Sequence, residues 1–114
     1  MRVFQRIFVG CAIAVAAAAA QAEFWDGNKL YERLTSEVSF NQGAALGYVM
    51  GVADTTLGVL HCAPATATAG QLQDMVTQHL RVYPERRTRT ADSLVIDTLK
   101  AAWPCANNRG GRTL

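Results

Sequence analysis

The residues of this chain that could do chemistry are few: His61 beside Cys62, His79, Cys105, Asp54, and a run of arginines at Arg81, Arg86, Arg87 and Arg89. His61 next to Cys62 invites a Cys–His nucleophile reading. Adjacent helical residues point about 100° apart, however, and a cysteine held in a disulfide has no thiolate with which to attack. His79 falls at apolar helical spacing, which suits a satisfied core or boundary histidine better than a ligand. A zinc site needs more His, Cys or carboxylate at ligand spacing than the sequence sets out. No strand precedes a Gly-rich turn, so no phosphate-binding loop is expected. The expectation is a protein without catalytic residues, metal or cofactor, and not an enzyme.

The remaining candidates point to binding. Asp54 interrupts an otherwise apolar string, GYVMGVAD. It suits either a partly buried carboxylate bonded to a neighbouring N–H, Tyr hydroxyl or Arg, or a partner contact. Tyr48 lies six residues before it, so the two do not share a helix face. Arg86, Arg87 and Arg89 crowd the turn after Pro84, offset only by Glu85. A solvated charged loop is one reading. The other is a docking loop for an acidic cleft, because guanidinium forks make bidentate bonds to carboxylates.

The chain around these residues has 114 residues and a mass of 12.3 kDa, room for one domain. Residues 1–22 read as a secretory signal peptide. Arg2 and Arg6 form a positive start, Ile7 to Ala20 an apolar run, and Ala20-Gln21-Ala22 an A-x-A cleavage signal. Two rival readings are lipidation at Cys11 and an uncleaved anchor. The first would leave a very short apolar run before the cut, and the second lacks a basic stop-transfer flank. Cleavage after Ala22 would leave nine Lys+Arg against nine Asp+Glu. A neutral exported domain has no overall field to draw it onto nucleic acid or an anionic membrane.

Export also decides how the cysteines are read. Cys11 leaves with the signal, and Cys62 and Cys105 remain as an even pair in an oxidising compartment. Their disulfide would close a loop of about 44 residues and disfavour the unfolded chain by about 4 kcal/mol.

Helical periodicity dominates the chain after residue 23. A short helix is expected from Asn28 to about Ser36, with Gly27-Asn28 as punctuation and cap. A longer one is expected from about Gln42 to His61, its apolar residues including Leu46, Val49, Met50, Ala53, Leu57 and Leu60. Thr68 to Gln71 has capping-box spacing, and Leu72, Met75, Val76, His79, Leu80 and Tyr83 come at helical intervals before Pro84. Ala91, Leu94, Val95, Thr98, Leu99 and Ala102 repeat the pattern before Pro104. The expected fold is all-α: a small bundle of about four helices, with one disulfide between the ends of the second and last. It occupies residues 23–105, with a flexible tail over 106–114. Trp25 and Trp103 are expected to pack at the bundle's ends.

Gly43, Gly47 and Gly51 form a stripe on the long helix, and Gly58 stands one heptad further on. Each costs about 1 kcal/mol relative to alanine. Close approach of a second helix or a second copy of the protein would offset that, as would a ligand against bare backbone. Asp54 and His61 argue against a transmembrane seam.

Taken in order, FWDGNKLYERL, LGYVMGVAD, HCAP, a Thr-x-x-Gln helix start, a Tyr-Pro turn and AAWPC resemble the Rap/Tai immunity proteins associated with type VI secretion. The resemblance spans residues 24–105. Its motif residues include Gly47, Tyr48, Gly51 and Asp54 in the second string, and Trp103 and Pro104 in the last. It implies a small helical periplasmic protein, often a homodimer, that binds and inhibits a delivered peptidoglycan amidase. It also implies that the turn from Pro84 to Thr90, with Glu85, Arg86, Arg87 and Arg89, enters or covers the toxin's cleft. Some relatives carry a further cysteine pair near Leu34/Thr35 and Ala44/Ala45, and this chain has neither member. The competing expectation is a periplasmic stress or chaperone-like helical protein with no dedicated toxin partner. Such a module would carry titrating carboxylates at a dimer seam, whereas the nine acids here are spread evenly.

Overall fold

The computed structural model describes residues 24–106. The signal peptide expected at 1–22 and the tail beyond Ala106 lie outside the described residues. Four α-helices and one short 3-10 turn make up the domain, with no named strand among the described residues: α1 (Gly27–Leu34), α2 (Ser39–Thr56), α3 (Ala69–Val82), the turn Pro84–Arg86, and α4 (Ala91–Ala102). The helical bundle expected from periodicity is the fold observed. No helix among these residues is long and apolar enough to cross a membrane.

Each helix start has its own chemistry. The Asp26 carboxylate accepts the Lys29 N–H at 2.8 Å and so caps α1, the part expected of Gly27-Asn28. Thr68 caps α3 by accepting the Gln71 N–H at 3.1 Å, as the Thr-x-x-Gln spacing predicts. Pro84 stands just past the end of α3, where it cannot continue the helix.

The core is built from i, i+4 ladders. Leu30 and Leu34 come from α1, Ala45, Val49 and Ala53 from α2, and Leu72, Val76 and Leu80 from α3; Ala91, Leu94, Val95 and Leu99 of α4 complete it. Helix α2 packs against all three others. Its core residues are small, which lets the larger leucines of α1, α3 and α4 fill the centre. Leu30, Leu80, Leu94 and Leu99 are wholly buried, each contributing about 2 kcal/mol of hydrophobic transfer. At the α1–α2 end, Trp25 stacks on Tyr48 at 5.0 Å between centroids, and Arg33 lies over the Trp25 ring at 4.9 Å.

Two expectations for α2 are corrected. The helix spans Ser39–Thr56, not Gln42 to His61. Leu57 has extended backbone angles, and Gly58 takes the left-handed φ of 81°, a conformation natural to glycine. Leu57 and Leu60, expected among the apolar residues of the helix, lie beyond it and are 53% and 40% exposed in this turn. The early stop allows His61 to fold beneath the end of α2. There its Nε2 donates to the Ala53 carbonyl at 2.9 Å, while Nδ1 accepts the Ala63 N–H at 3.2 Å. The Ala53 carbonyl is one that the last helical turn leaves without an intrahelical partner.

The second correction is to one offset expected for the glycine stripe, the close approach of another helix of the chain. A Cβ at Gly43, Gly47 or Gly51 would meet nothing within 4 Å. No other helix of the described chain approaches them; the stripe faces outward.

The disulfide stands where the ends of the second and last helices meet. Cys62 and Cys105 are bonded with their Cα atoms 4.8 Å apart, and the Cys62 N–H donates to the Trp103 carbonyl at 2.8 Å. Cys62 lies beyond the turn that ends α2, and Cys105 three residues past α4. Trp103 and Pro104 thus lead the chain directly into the bridge.

Candidate docking loop and its neighbourhood

The segment from Tyr83 to Thr90, between α3 and α4, gathers Glu85, Arg86, Arg87 and Arg89 into one exposed loop. Its backbone closes on itself: Arg86 N–H bonds the Tyr83 carbonyl at 3.0 Å, Arg87 N–H that of Pro84 at 3.2 Å, and Arg89 N–H that of Arg86 at 3.0 Å. The loop is also tied to the start of α1. The Gly27 N–H donates to the Arg89 carbonyl at 2.9 Å and the Asn28 N–H to the Arg87 carbonyl at 3.0 Å. In return the Ala91 N–H donates to the Trp25 carbonyl at 2.9 Å. First-turn amides of two helices, which lack intrahelical partners, are satisfied by this exchange.

Gly27 is what lets the two segments approach so closely. A Cβ there would overlap the Leu94 side chain and stand 2.7 Å from the Arg87 Cα and 2.9 Å from the Arg87 carbonyl oxygen.

The arginines of the loop divide into two kinds. Arg87 turns inward: its Nε donates to the Leu80 carbonyl at 2.7 Å, and its guanidinium lies 3.9 Å above the Tyr31 ring. A cation at the last turn of α3 also meets the negative end of the helix dipole. Arg87 is therefore a positioning residue that joins α1, α3 and the loop. Arg86 and Arg89 remain on the surface, their side chains 43% and 45% exposed. Arg86 lies over Tyr83 at 3.9 Å and touches Glu85 at 4.0 Å; Arg89 pairs with Asp97 at 2.8 Å. Exposed pairs of this kind contribute at most about 1 kcal/mol, so they yield readily to a partner's carboxylates.

Chemically, the arrangement offers guanidinium donors and no reactive group. His61 has both ring nitrogens engaged, and Cys62 is bonded to Cys105. Among the described residues no three His, Cys, Asp or Glu side chains cluster as metal ligands would. Asp54 is exposed, and no hydrogen bond or ion pair holds its carboxylate among the described residues, so of its two readings the internal bond is not made. Gly47 and Gly51 share that outward face of α2. Tyr48 sits on the α1 side against Trp25. None of these four residues is joined to the arginine loop by a hydrogen bond or ion pair among the described residues.

A family described as Rap1a immunity proteins matches residues 26–105, from the cap of α1 to the second disulfide cysteine. The chain belongs to the Rap1a immunity family. Among curated proteins the sequence finds no match. The family match covers all four helices, the arginine loop and both bonded cysteines, so the Rap1a domain is the whole of the described fold apart from its outermost residues. Membership makes this an immunity-type protein, for which a cognate effector protein is the expected partner.

Sequence reasoning misses two residues that build this Rap1a loop, Gly27 and Tyr31. Gly27 has the look of punctuation, but it is buried contact surface. Tyr31 falls on the inner side of α1 by periodicity, which says nothing of its role as a platform for Arg87. His79 is a boundary histidine, as its spacing suits, with its ring 5.1 Å from that of Tyr83, but it is not a satisfied one: its Nε2 is out of reach of solvent with no hydrogen-bond partner among the described residues.

Burial lowers the His79 pKa below the ordinary histidine value, and the Arg86 and Arg89 charges lower it further against an opposing pull from Asp97. The unfolded chain therefore binds more protons than the native one as the pH falls through about 6.5. His79 contributes stability that is complete above that pH and lost as the solution is acidified through the lower native pKa. The urea midpoint should fall from about pH 7.5 to about pH 5.5, and His79→Gln should flatten that slope. An unchanged slope in the variant would assign the pH dependence elsewhere.

Proposed function

We propose that this Rap1a family protein is a periplasmic type VI secretion immunity protein, exported by a cleavable signal peptide. It binds a delivered peptidoglycan amidase and masks its active-site cleft, catalysing nothing itself. The observation that carries this reading is the preorganised basic loop. Backbone bonds to α1 and the Arg87 anchor hold it in one shape, so docking costs little ordering entropy. Arg86 and Arg89 are left at its surface to meet an acidic cleft. A second copy would find its place on the outward α2 face, where Phe40 is 78% exposed beside the glycine stripe.

Deleting the gene should leave a cell sensitive to its sister cells, and the oxidised protein should inhibit one peptidoglycan hydrolase at equimolar ratio. In that inhibition assay, Arg86→Ala with Arg89→Ala should weaken binding about tenfold or more, as expected for the loss of two charge-assisted contacts, with the helical signal intact. Undiminished inhibition by the double variant rules the loop out as the docking element. Promiscuous capture of unfolded proteins in acid would instead identify the chaperone-like alternative.

A further inference from the structure

Beyond the early end of α2 a small pocket of about 200 Å³ opens. Its walls are Met50 and Asp54 of α2, Leu57 of the turn, Pro64 and Ala67 of the following loop, and Leu72 of α3. That volume is below the ~300–1,000 Å³ of small-molecule sites and suits a single side chain. Hydrogen bonds hold the walls in place. The His61 ring reaches from the Ala53 carbonyl to the Ala63 N–H, and the Ala67 N–H donates to the Pro64 carbonyl at 2.9 Å. An occupant therefore meets a shape already made, at little cost in ordering.

The lining is apolar apart from two residues. His61 is buried, and its Nδ1 accepts an N–H, so it is bonded as the neutral ring. Asp54 is the one charged residue, and no Lys or Arg lines the pocket to answer it. Its carboxylate has no hydrogen bond or ion pair among the described residues. Two helix ends also meet here. The C-terminus of α2 brings partial negative charge and the N-terminus of α3 partial positive charge, which offset each other and leave the carboxylate as the net charge. Asp54 stands in the last turn of α2, where the helix dipole favours a cation, yet no basic residue occupies that turn.

Resting on the immunity reading, we propose that this pocket takes one long basic side chain of the effector. Its aliphatic stem lies over Met50, Leu57 and Pro64, and its charged head meets the Asp54 carboxylate. The Cys62 N–H bond to the Trp103 carbonyl puts the pocket's turn at the C-terminal end of α4, and the arginine loop is at the other. Twelve helical residues separate them, about 18 Å, a span that one interface of about 800 Å² a side covers. The effector then presents carboxylates to the loop and a base to the pocket, and the two opposite charges fix its orientation.

The test uses the oxidised exported form of the chain, isotope-labelled for amide NMR. The probe is the acetylated, amidated tripeptide Gly-Lys-Gly at millimolar concentration. Saturable shifts should centre on Met50, Asp54, Leu57 and Ala67. Binding should weaken about threefold with the norleucine analogue, which keeps the stem and loses the charge, and in Asp54→Asn. The 2,4-diaminobutyrate analogue, which keeps the charge on a shorter stem, should also bind more weakly. Asp54→Asn should weaken inhibition of the hydrolase about threefold without lowering the urea midpoint, because the substitution removes a carboxylate from the negative end of α2. Shifts that are absent, scattered or equal for the norleucine peptide overturn the proposal. So do shifts that depend on protein concentration alone, which would give the pocket to a second copy, and inhibition unaltered in Asp54→Asn. That last result leaves the immunity reading standing. Failure of the immunity reading would show separately, as the absence of any hydrolase inhibited by the wild-type protein.

Discussion

Breaking the Cys62–Cys105 bond lowers the stability of this protein by about 4 kcal/mol, the loop-closure entropy of a 43-residue separation. Total stabilities of single domains run to about 5–15 kcal/mol, and a chain this short belongs at the low end. A loss of that size corresponds to a fall in Tm of about 15–30 °C. The bridge also holds in place the one backbone contact that satisfies the Cys62 N–H, the Trp103 carbonyl. Thermal melts followed by circular dichroism, with and without reductant, measure the effect. The Cys62→Ala/Cys105→Ala variant should match the reduced protein. A shift of only a few degrees would show that the unfolded chain is already restrained over this loop.

The second large effect is expected at Gly27. Gly27→Ala places a methyl group against the Leu94 side chain and against the backbone of Arg87, 2.7 Å from its Cα. The side chain could turn away, but the backbone cannot, because Arg87 is bonded to Asn28, Leu80 and Pro84. Overpacking of this kind costs about 2–3 kcal/mol. Because the same displacement lifts the loop from α1, effector binding should weaken along with stability. The urea midpoint and the inhibition assay should therefore move together in Gly27→Ala. In Arg86→Ala/Arg89→Ala, by contrast, inhibition should move alone. Wild-type stability in Gly27→Ala would mean that α1 and the loop can separate at little cost.

The disulfide and Gly27 differ in how plainly their roles can be read from the chain. A cysteine pair announces a disulfide by parity once a signal peptide is expected ahead of it. Gly27 announces nothing, since glycine before a helix is ordinary punctuation, and only the approach of Arg87, far along the sequence, makes it indispensable. Helices α3 and α4 are legible for a similar reason to the disulfide. Each carries one apolar stripe at a 3.6-residue period, a capping threonine or a following proline, and both run as expected to within a residue. Helix α2 is harder. Apolar residues and glycines surround it on every side, so periodicity sets neither its inner face nor its end. It closes at Thr56 because Gly58 turns and His61 takes over the Ala53 carbonyl.

The arginine loop shows the same boundary within a few residues. From the sequence, Glu85, Arg86, Arg87 and Arg89 are a charged turn after a proline, and any of the three guanidiniums could face a partner. In the folded chain Arg87 is spent on the Leu80 carbonyl and the Tyr31 ring, while Arg86 and Arg89 are held at the surface.

By itself the sequence determined the helical class, the capping threonine of α3, the two proline stops, the disulfide and the membership in an immunity family. The first four depend on local periodicity, backbone restriction and cysteine parity, which act between near neighbours or on composition, and the family rests on the resemblance of its motifs along residues 26–105. Tertiary structure alone decided where α2 ends, that its glycines face outward, which arginine anchors the loop, and that a small pocket opens beside Asp54. Each of these depends on which distant backbone atom comes within hydrogen-bonding or van der Waals reach, and that is set only when the four helices have packed.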